Sequence, residues 1–285
     1  MEEDRTMARR KNMFELLMNG EYINLSVEYN TISTLLGRLR SVNDWDSIER
    51  AIDRYIIKDW KYSSRCIQLN DLRKKLEISH FDIYQNNFPL DKCLLYFELI
   101  YNLLQVLLDK YHDVKDRDIE IIDEEDVYKI IDNIEGVLEE LNYKMEKVED
   151  KYLIVEKDII ATSVAEKNPD ICGDIIEYRR FNLKGEVETK KAIILKLAEK
   201  IEPLRKKFKG TSYNMVMEEL QMILNNLNLR HNNLEGTNKK EYIVNMSKEE
   251  LEKWYDKTYD MILCVLTLND YLDIKNDIED LKKKL

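Results

Sequence analysis

The sequence predicts an all-α protein of two helical domains, with one small β-hairpin near the boundary between them. Three observations predict it. Glycine and proline number only 7 and 3 in 285 residues, where average usage would supply roughly three times as many. Those residues make the tight corners of hairpins. Their scarcity excludes an all-β sandwich or barrel and a glycine-loop nucleotide fold. Second, apolar residues recur at helical three-and-four spacing, in a chain that is 44% hydrophobic and 35% charged. That pairing describes buried stripes and heavily charged outer faces. Third, a β signal occurs in a single stretch, residues 143–158.

Taken in chain order, helices are expected over residues 5–18, 26–40, 45–60, 90–111 and 124–142. The segment Cys93 to Leu108 is the most apolar. It contains Glu98, Asn102 and Gln105 and falls short of the ~20 apolar residues a membrane span needs. It reads as a buried central helix. The 124–142 helix opens with Asp123, Glu124, Glu125 and Asp126, which suit the positive end of a helix dipole.

The hairpin follows. Lys144–Val148 and Tyr152–Glu156 flank the polar turn Glu149-Asp150-Lys151, and β-branched and aromatic residues enrich the second run. A lone hairpin is marginal in water and must pack against helices. The domains are therefore placed at 1–158 and 159–285.

In the second domain, Asn168-Pro169-Asp170 reads as a helix start, followed by Ile171, Ile175 and Ile176. A helix from Gly185 to about Phe208 carries Val187, Ile194, Leu197, Ile201, Leu204 and Phe208 on one face, with Pro203 expected to kink or break it. A third runs from about Thr211 to Arg230, with Val216, Leu220, Ile223 and Leu227 inward. Ser247 and Glu250 form a capping box. It opens a last helix that turns Leu251, Trp254, Thr258, Met261, Val265, Leu268 and Leu272 inward. The charged tail, Lys275 to Leu285, projects beyond the core.

The formal charge is −11, which argues against broad non-specific phosphate binding and leaves room for a local basic site. The four cysteines, Cys66, Cys93, Cys172 and Cys264, are scattered without a CxxC pair. They read as buried, reduced thiols of a cytoplasmic protein. The charged N-terminal stretch does not read as a signal peptide. Three histidines leave little room for a metal site, and neither a metal nor a cofactor is expected.

The segment that stands apart is Leu227-Asn228-Leu229-Arg230-His231-Asn232-Asn233-Leu234-Glu235-Gly236. Continuing the apolar stripe of the third helix reaches Arg230 and His231, so polar groups gather beside a core where they must be hydrogen-bonded. One account is a capping network, with Arg230 on the last carbonyls and the asparagines satisfying the loop. The other is an anion or RNA-phosphate site, since Arg binds phosphate bidentately and His moves protons.

This layout over residues 160–285 resembles the HEPN superfamily: a helical bundle with an Arg-led polar motif ending its third helix, then a capped helix. The helical N-terminal region with its hairpin resembles AbiJ-type abortive-infection proteins. The resemblance implies a bacterial phage-defence or toxin-type protein that binds or cleaves RNA. It would act as a homodimer, by metal-independent ribonuclease chemistry. The implied catalytic residues are Arg230, His231 and Asn232, with Asn226, Asn233 and Glu235 binding substrate. The family's histidine would fall at Glu235, Gly236 or Thr237, and none of these is histidine. Either His231 substitutes from the adjacent position, or the domain has lost the usual chemistry. A second pair, Arg73 and His80, satisfies an Arg-x6-His spacing in the N-terminal half. The reading from another class is a non-catalytic helical module that binds a protein partner. No membrane association is expected.

Overall fold

The computed structural model describes residues 23–38, 47–78, 89–113 and 124–285. The expected helix at 5–18 and His80 lie outside them. Among the described residues the fold is all-α, with a single two-stranded hairpin. No helix there is long and apolar enough to cross a membrane. The chain divides into two compact units, Met1–Lys144 and Met145–Leu285.

In the first unit, α1 (Leu25–Gly37) is capped by the Asn24 side chain, which accepts from the amides of Ser26 and Val27. Helix α2 (Ile48–Ala51) starts on Ser47 and runs directly into a π-helical turn, Ile52–Ile56. Helix α3 (Leu69–Lys75) is followed by α4 (Leu90–Asp113) and α5 (Glu124–Glu140). Helix α4 is the central element, with α1, the π turn and α5 against it. Tyr96, Phe97, Ile100, Leu103 and Leu104 on α4 are fully buried. Glu124, Glu125 and Asp126 occupy the first turn of α5.

The hairpin pairs β1 (Tyr143–Val148) with β2 (Lys151–Glu156). Glu149 takes φ +56° in the tight turn. The support that a lone hairpin needs comes from the second unit. Leu153 and Val155 pack on Ile176, and Val155 bridges to Arg180.

The second unit contains α6 (Ile159–Lys167), α7 (Cys172–Tyr178), α8 (Val187–Ile201), α9 (Arg205–Phe208), α10 (Asn214–Asn226), α11 (Glu241–Val244) and α12 (Lys248–Lys284). Helix α12 packs mainly on α8, then on α10 and α6. Ile194, Leu197, Phe208, Leu220, Tyr255, Ile262 and Val265 fill the core between them. Pro203 breaks the α8 line into a 3-10 turn, Glu202–Leu204, before α9. The capping box at Ser247 and Glu250 is formed in both directions.

Several elements differ from the sequence expectation. Asn168 ends a helix rather than starting one. Its side-chain amide donates to the Val164 carbonyl, and α6, started by Asp158, precedes it. The long 211–230 helix stops at Asn226, because Asn228 adopts φ +55° and turns the chain out of the helix. On α12, Trp254 is exposed, and Tyr255, Tyr259, Ile262 and Leu266 join Thr258 and Val265 on the buried face. The inward stripe is rotated by about one residue, which a broad apolar face permits. All four cysteines are free thiols, with Cys93 buried and Cys264 exposed. Burial holds the Cys93 thiol up at about 12.

Candidate functional site

The junction after α10 is built by a backbone reversal. The Arg230 amide returns to the Leu224 carbonyl at 2.9 Å. Asn228 and Asn233 then clamp the loop reciprocally. The Asn228 amide donates to Asn233 Oδ1 at 2.7 Å, and the Asn233 amide to Asn228 Oδ1 at 3.2 Å. Asn233 Nδ2 also donates to the Asn238 carbonyl. Gly236, at φ +73°, supplies the left-handed residue that opens the last turn of this loop.

The Arg230 guanidinium is spoken for. One nitrogen donates to Gln221 Oε1 at 2.5 Å and the other to Glu202 Oε2 at 2.7 Å. Burial alone would raise the Glu202 carboxyl. The hydrogen bond and charge of Arg230, with help from Arg205, outweigh it and hold that carboxyl below its ordinary value. Arg230 thus ties α10 to the turn after α8 instead of capping the last carbonyls of its own helix.

His231, Asn232 and Glu235 are exposed, and Asn232 Oδ1 accepts from the Leu234 amide. Asn226 donates to the Met222 carbonyl, and its own carbonyl accepts from the Tyr242 hydroxyl at 2.9 Å. The junction therefore brings together Arg230, His231, Asn232, Asn226, Asn233 and Glu235. Asn233, 1% exposed, is the loop's internal clamp. The side chains that this junction leaves exposed among these six are His231, Asn232 and Glu235.

Arg73 lies in the first unit, packed inside it. Its guanidinium donates to Glu49 Oε1 at 2.7 Å and to the Tyr96 hydroxyl at 3.3 Å. Tyr96 in turn shares a hydrogen bond with Ser33 and stacks obliquely with Tyr29 at 4.2 Å. This is a polar knot in a core.

A groove of about 320 Å3 lies at the start of α12, next to the junction through Tyr242. Tyr242, Asn245, Met246, Lys253, Trp254 and Lys257 line it. Lys257 sits 4.5 Å from the Trp254 ring centroid, a cation–π pairing. The groove's carboxylate, Glu250, accepts from the Ser247 amide in the capping box. Sequence reading placed Trp254 in the core and so overlooked this surface.

The second overlooked constellation is internal. Lys190, on the buried face of α8, reaches Glu252 Oε1 at 2.8 Å and Asp256 Oδ1 at 2.7 Å on α12. Asp256 also accepts from the Tyr178 hydroxyl, and Tyr178 stacks on Tyr259 at 4.1 Å, 7° from parallel. The Gly185 amide, at φ +84°, donates to Glu252 as well. Burial works against the Lys190 charge, but Asp256 and Glu252 raise its pKa overall. Burial likewise opposes the Glu252 charge, yet Lys190 and the Gly185 amide leave that carboxyl lowered. The signal was present in the sequence. Val187, Lys190, Ile194, Leu197 and Ile201 follow helical spacing, so Lys190 stands inside an apolar stripe.

The neighbouring Tyr255 hydroxyl is buried and has no hydrogen-bond partner among the described residues. An unpaired buried hydroxyl is destabilising. Tyr255→Phe is expected to raise the unfolding free energy by about 1 kcal/mol, checked by urea denaturation. Among the described residues, no three His, Cys, Asp or Glu side chains are grouped to hold a metal ion. No family model, curated protein or solved structure matches the chain.

Proposed function

We propose that the chain is a HEPN-like, abortive-infection-type protein whose second unit binds RNA without cutting it, in the cytoplasm. One observation carries this reading. The Arg230 junction, through Tyr242, adjoins a groove that offers two aromatic rings and two lysine cations on an otherwise acidic chain. Aromatic faces that stack bases beside cations that meet phosphates are the chemistry of single-strand binding, with stacking contributing about 1–3 kcal/mol per base. The reading departs from the family's cleavage chemistry for a physical reason. The Arg230 charge is engaged by Glu202, and no second histidine stands at the expected spacing to share proton transfer with His231.

A fluorescein-labelled twelve-residue oligouridylate, titrated with the full chain, tests it by anisotropy. Binding is expected to weaken with added salt. Trp254→Ala and Lys257→Glu should each reduce affinity about tenfold, with the oligonucleotide intact on a denaturing gel. Absence of binding, or binding indifferent to both variants, would overturn the RNA reading. Cleavage lost in His231→Ala would overturn the non-catalytic part.

A second reading, a protein-interaction module, is favoured by the engagement of Arg230 with Gln221 and Glu202. In it the junction is purely structural and the same groove receives a protein side chain. The oligonucleotide titration separates the two.

A further inference from the structure

Helix α12 contains 37 residues, about 55 Å at 1.5 Å per residue. Its partner α8 has 15, about 22 Å. Leu272 is the last buried residue of α12. Beyond it the helix carries an apolar stripe that nothing in the described chain covers. Ile274, Ile278 and Leu281 are 54%, 44% and 56% exposed, and Leu285 is almost fully so; Tyr271, just before Leu272, is 44% exposed and meets the Tyr213 ring edge-on at 5.8 Å. Ile274, Ile278, Leu281 and Leu285 are spaced four, three, four, and with Tyr271 three residues before them they follow the a/d pattern of a heptad repeat. At 100° per residue the stripe from Ile274 to Leu285 lies on the side of the helix away from Leu272. It is a seam separate from the core-facing side of the same helix.

We propose that two copies of this chain pair through this seam as a parallel coiled coil. The proposal is independent of the RNA reading. Three features select a second copy as occupant. First, the stripe is narrow and flanked by charge, with Lys275 and Lys282 at e positions and Asp277 and Lys284 at g positions. That matches a two-stranded seam rather than the broad face a globular partner would bury. Second, a two-fold axis along the helices sets each seam residue against its own copy, so the stripe is self-complementary. Third, in a parallel pair a g residue faces the e residue five positions on in the other helix. Asp277 of one copy then meets Lys282 of the other. An antiparallel pair would set the e-position lysines, Lys275 and Lys282, against each other, and that repulsion offsets the attraction it would give Asp277 and Lys284 at the g positions. The charges therefore favour the parallel arrangement and the second copy together.

Two heptads form a short coil, and an isolated helix of that length is marginal. Here the helix is already nucleated, because its first half is packed in the core of the second unit. Pairing need not meet the cost of forming the helix.

Sedimentation equilibrium of the full chain, up to about 100 μM, reads the result. A mass twice the 34.2 kDa of the chain is expected. Ile274→Glu combined with Ile278→Glu should weaken association by about 100-fold or more while the helical circular dichroism stays unchanged. Asp277→Lys alone should weaken the dimer, and adding Lys282→Asp should restore it. Leu281→Cys should cross-link to itself under oxidation, above the background of the parent chain treated alike. A 34.2 kDa species throughout the range would overturn the proposal, as would a dimer that survives the double glutamate variant. Failure of Leu281→Cys to cross-link would overturn the parallel arrangement.

Discussion

Lys190→Met is expected to lower the unfolding free energy by about 3 kcal/mol, the low end of the cost of breaking a buried ion pair. The lower end applies because the Asp256 side chain is half exposed, whereas those of Lys190 and Glu252 are largely buried. The methionine fills the aliphatic volume but leaves Glu252 and Asp256 facing each other without a cation. Urea denaturation at neutral pH measures the loss. Its pH dependence follows from the two shifted groups. The Glu252 carboxyl is lowered in the folded state. Its contribution is complete above the ordinary carboxylate value of about 4.3 and disappears as pH falls through the lower folded value. Lys190 is raised. Its contribution is complete below about 10.4 and is lost only as pH rises through the higher folded value. The difference between wild type and variant should therefore hold from about pH 5 to 10 and shrink toward pH 3. A difference that grew on acidification would contradict the assignment of the pair.

Asn233→Ala is expected to cost about 2 kcal/mol, since it leaves the buried Asn228 amide without its partner and removes the bond to the Asn238 carbonyl. The residue is 1% exposed and makes both of those contacts through its side chain. His231→Ala, two positions away and exposed, should stay within about 0.5 kcal/mol of wild type. Urea melts of the two variants separate the structural from the presented residues of the junction. Equal effects would show that the loop does not depend on the asparagine clamp.

Much of the architecture was legible because it rests on local rules. The scarcity of glycine and proline is a property of composition, and the hairpin at 143–156 and the capping box at Ser247 are each written within a few residues. The hairpin and the capping box both appear in the structure where the chain places them. The Arg230 segment was legible as a polar cluster at a helix end. Its wiring was not. Glu202 lies 28 residues before Arg230, and no local pattern pairs them. Which of six polar residues turn inward depended on Asn228 taking a left-handed conformation, a choice set by the reciprocal bonds to Asn233. Trp254 was misplaced for a related reason. An amphipathic stripe locates a face to within about one residue, and the orientation of α12 against α8 decided that Tyr255 rather than Trp254 went in.

By itself, then, the sequence determined the all-α class, the position of the hairpin, the ends of several helices and the heptad spacing at the end of α12. Short-range propensity, capping and periodicity are properties of neighbouring residues. Tertiary structure decided that Arg230 serves an ion pair, that Lys190 is held by two carboxylates from another helix, and that the heptad seam lies beyond the last buried residue. Those outcomes depend on which surfaces meet across long stretches of chain. Burial, which sets the strength of every charge and the exposure of every apolar side chain, exists only once they have met.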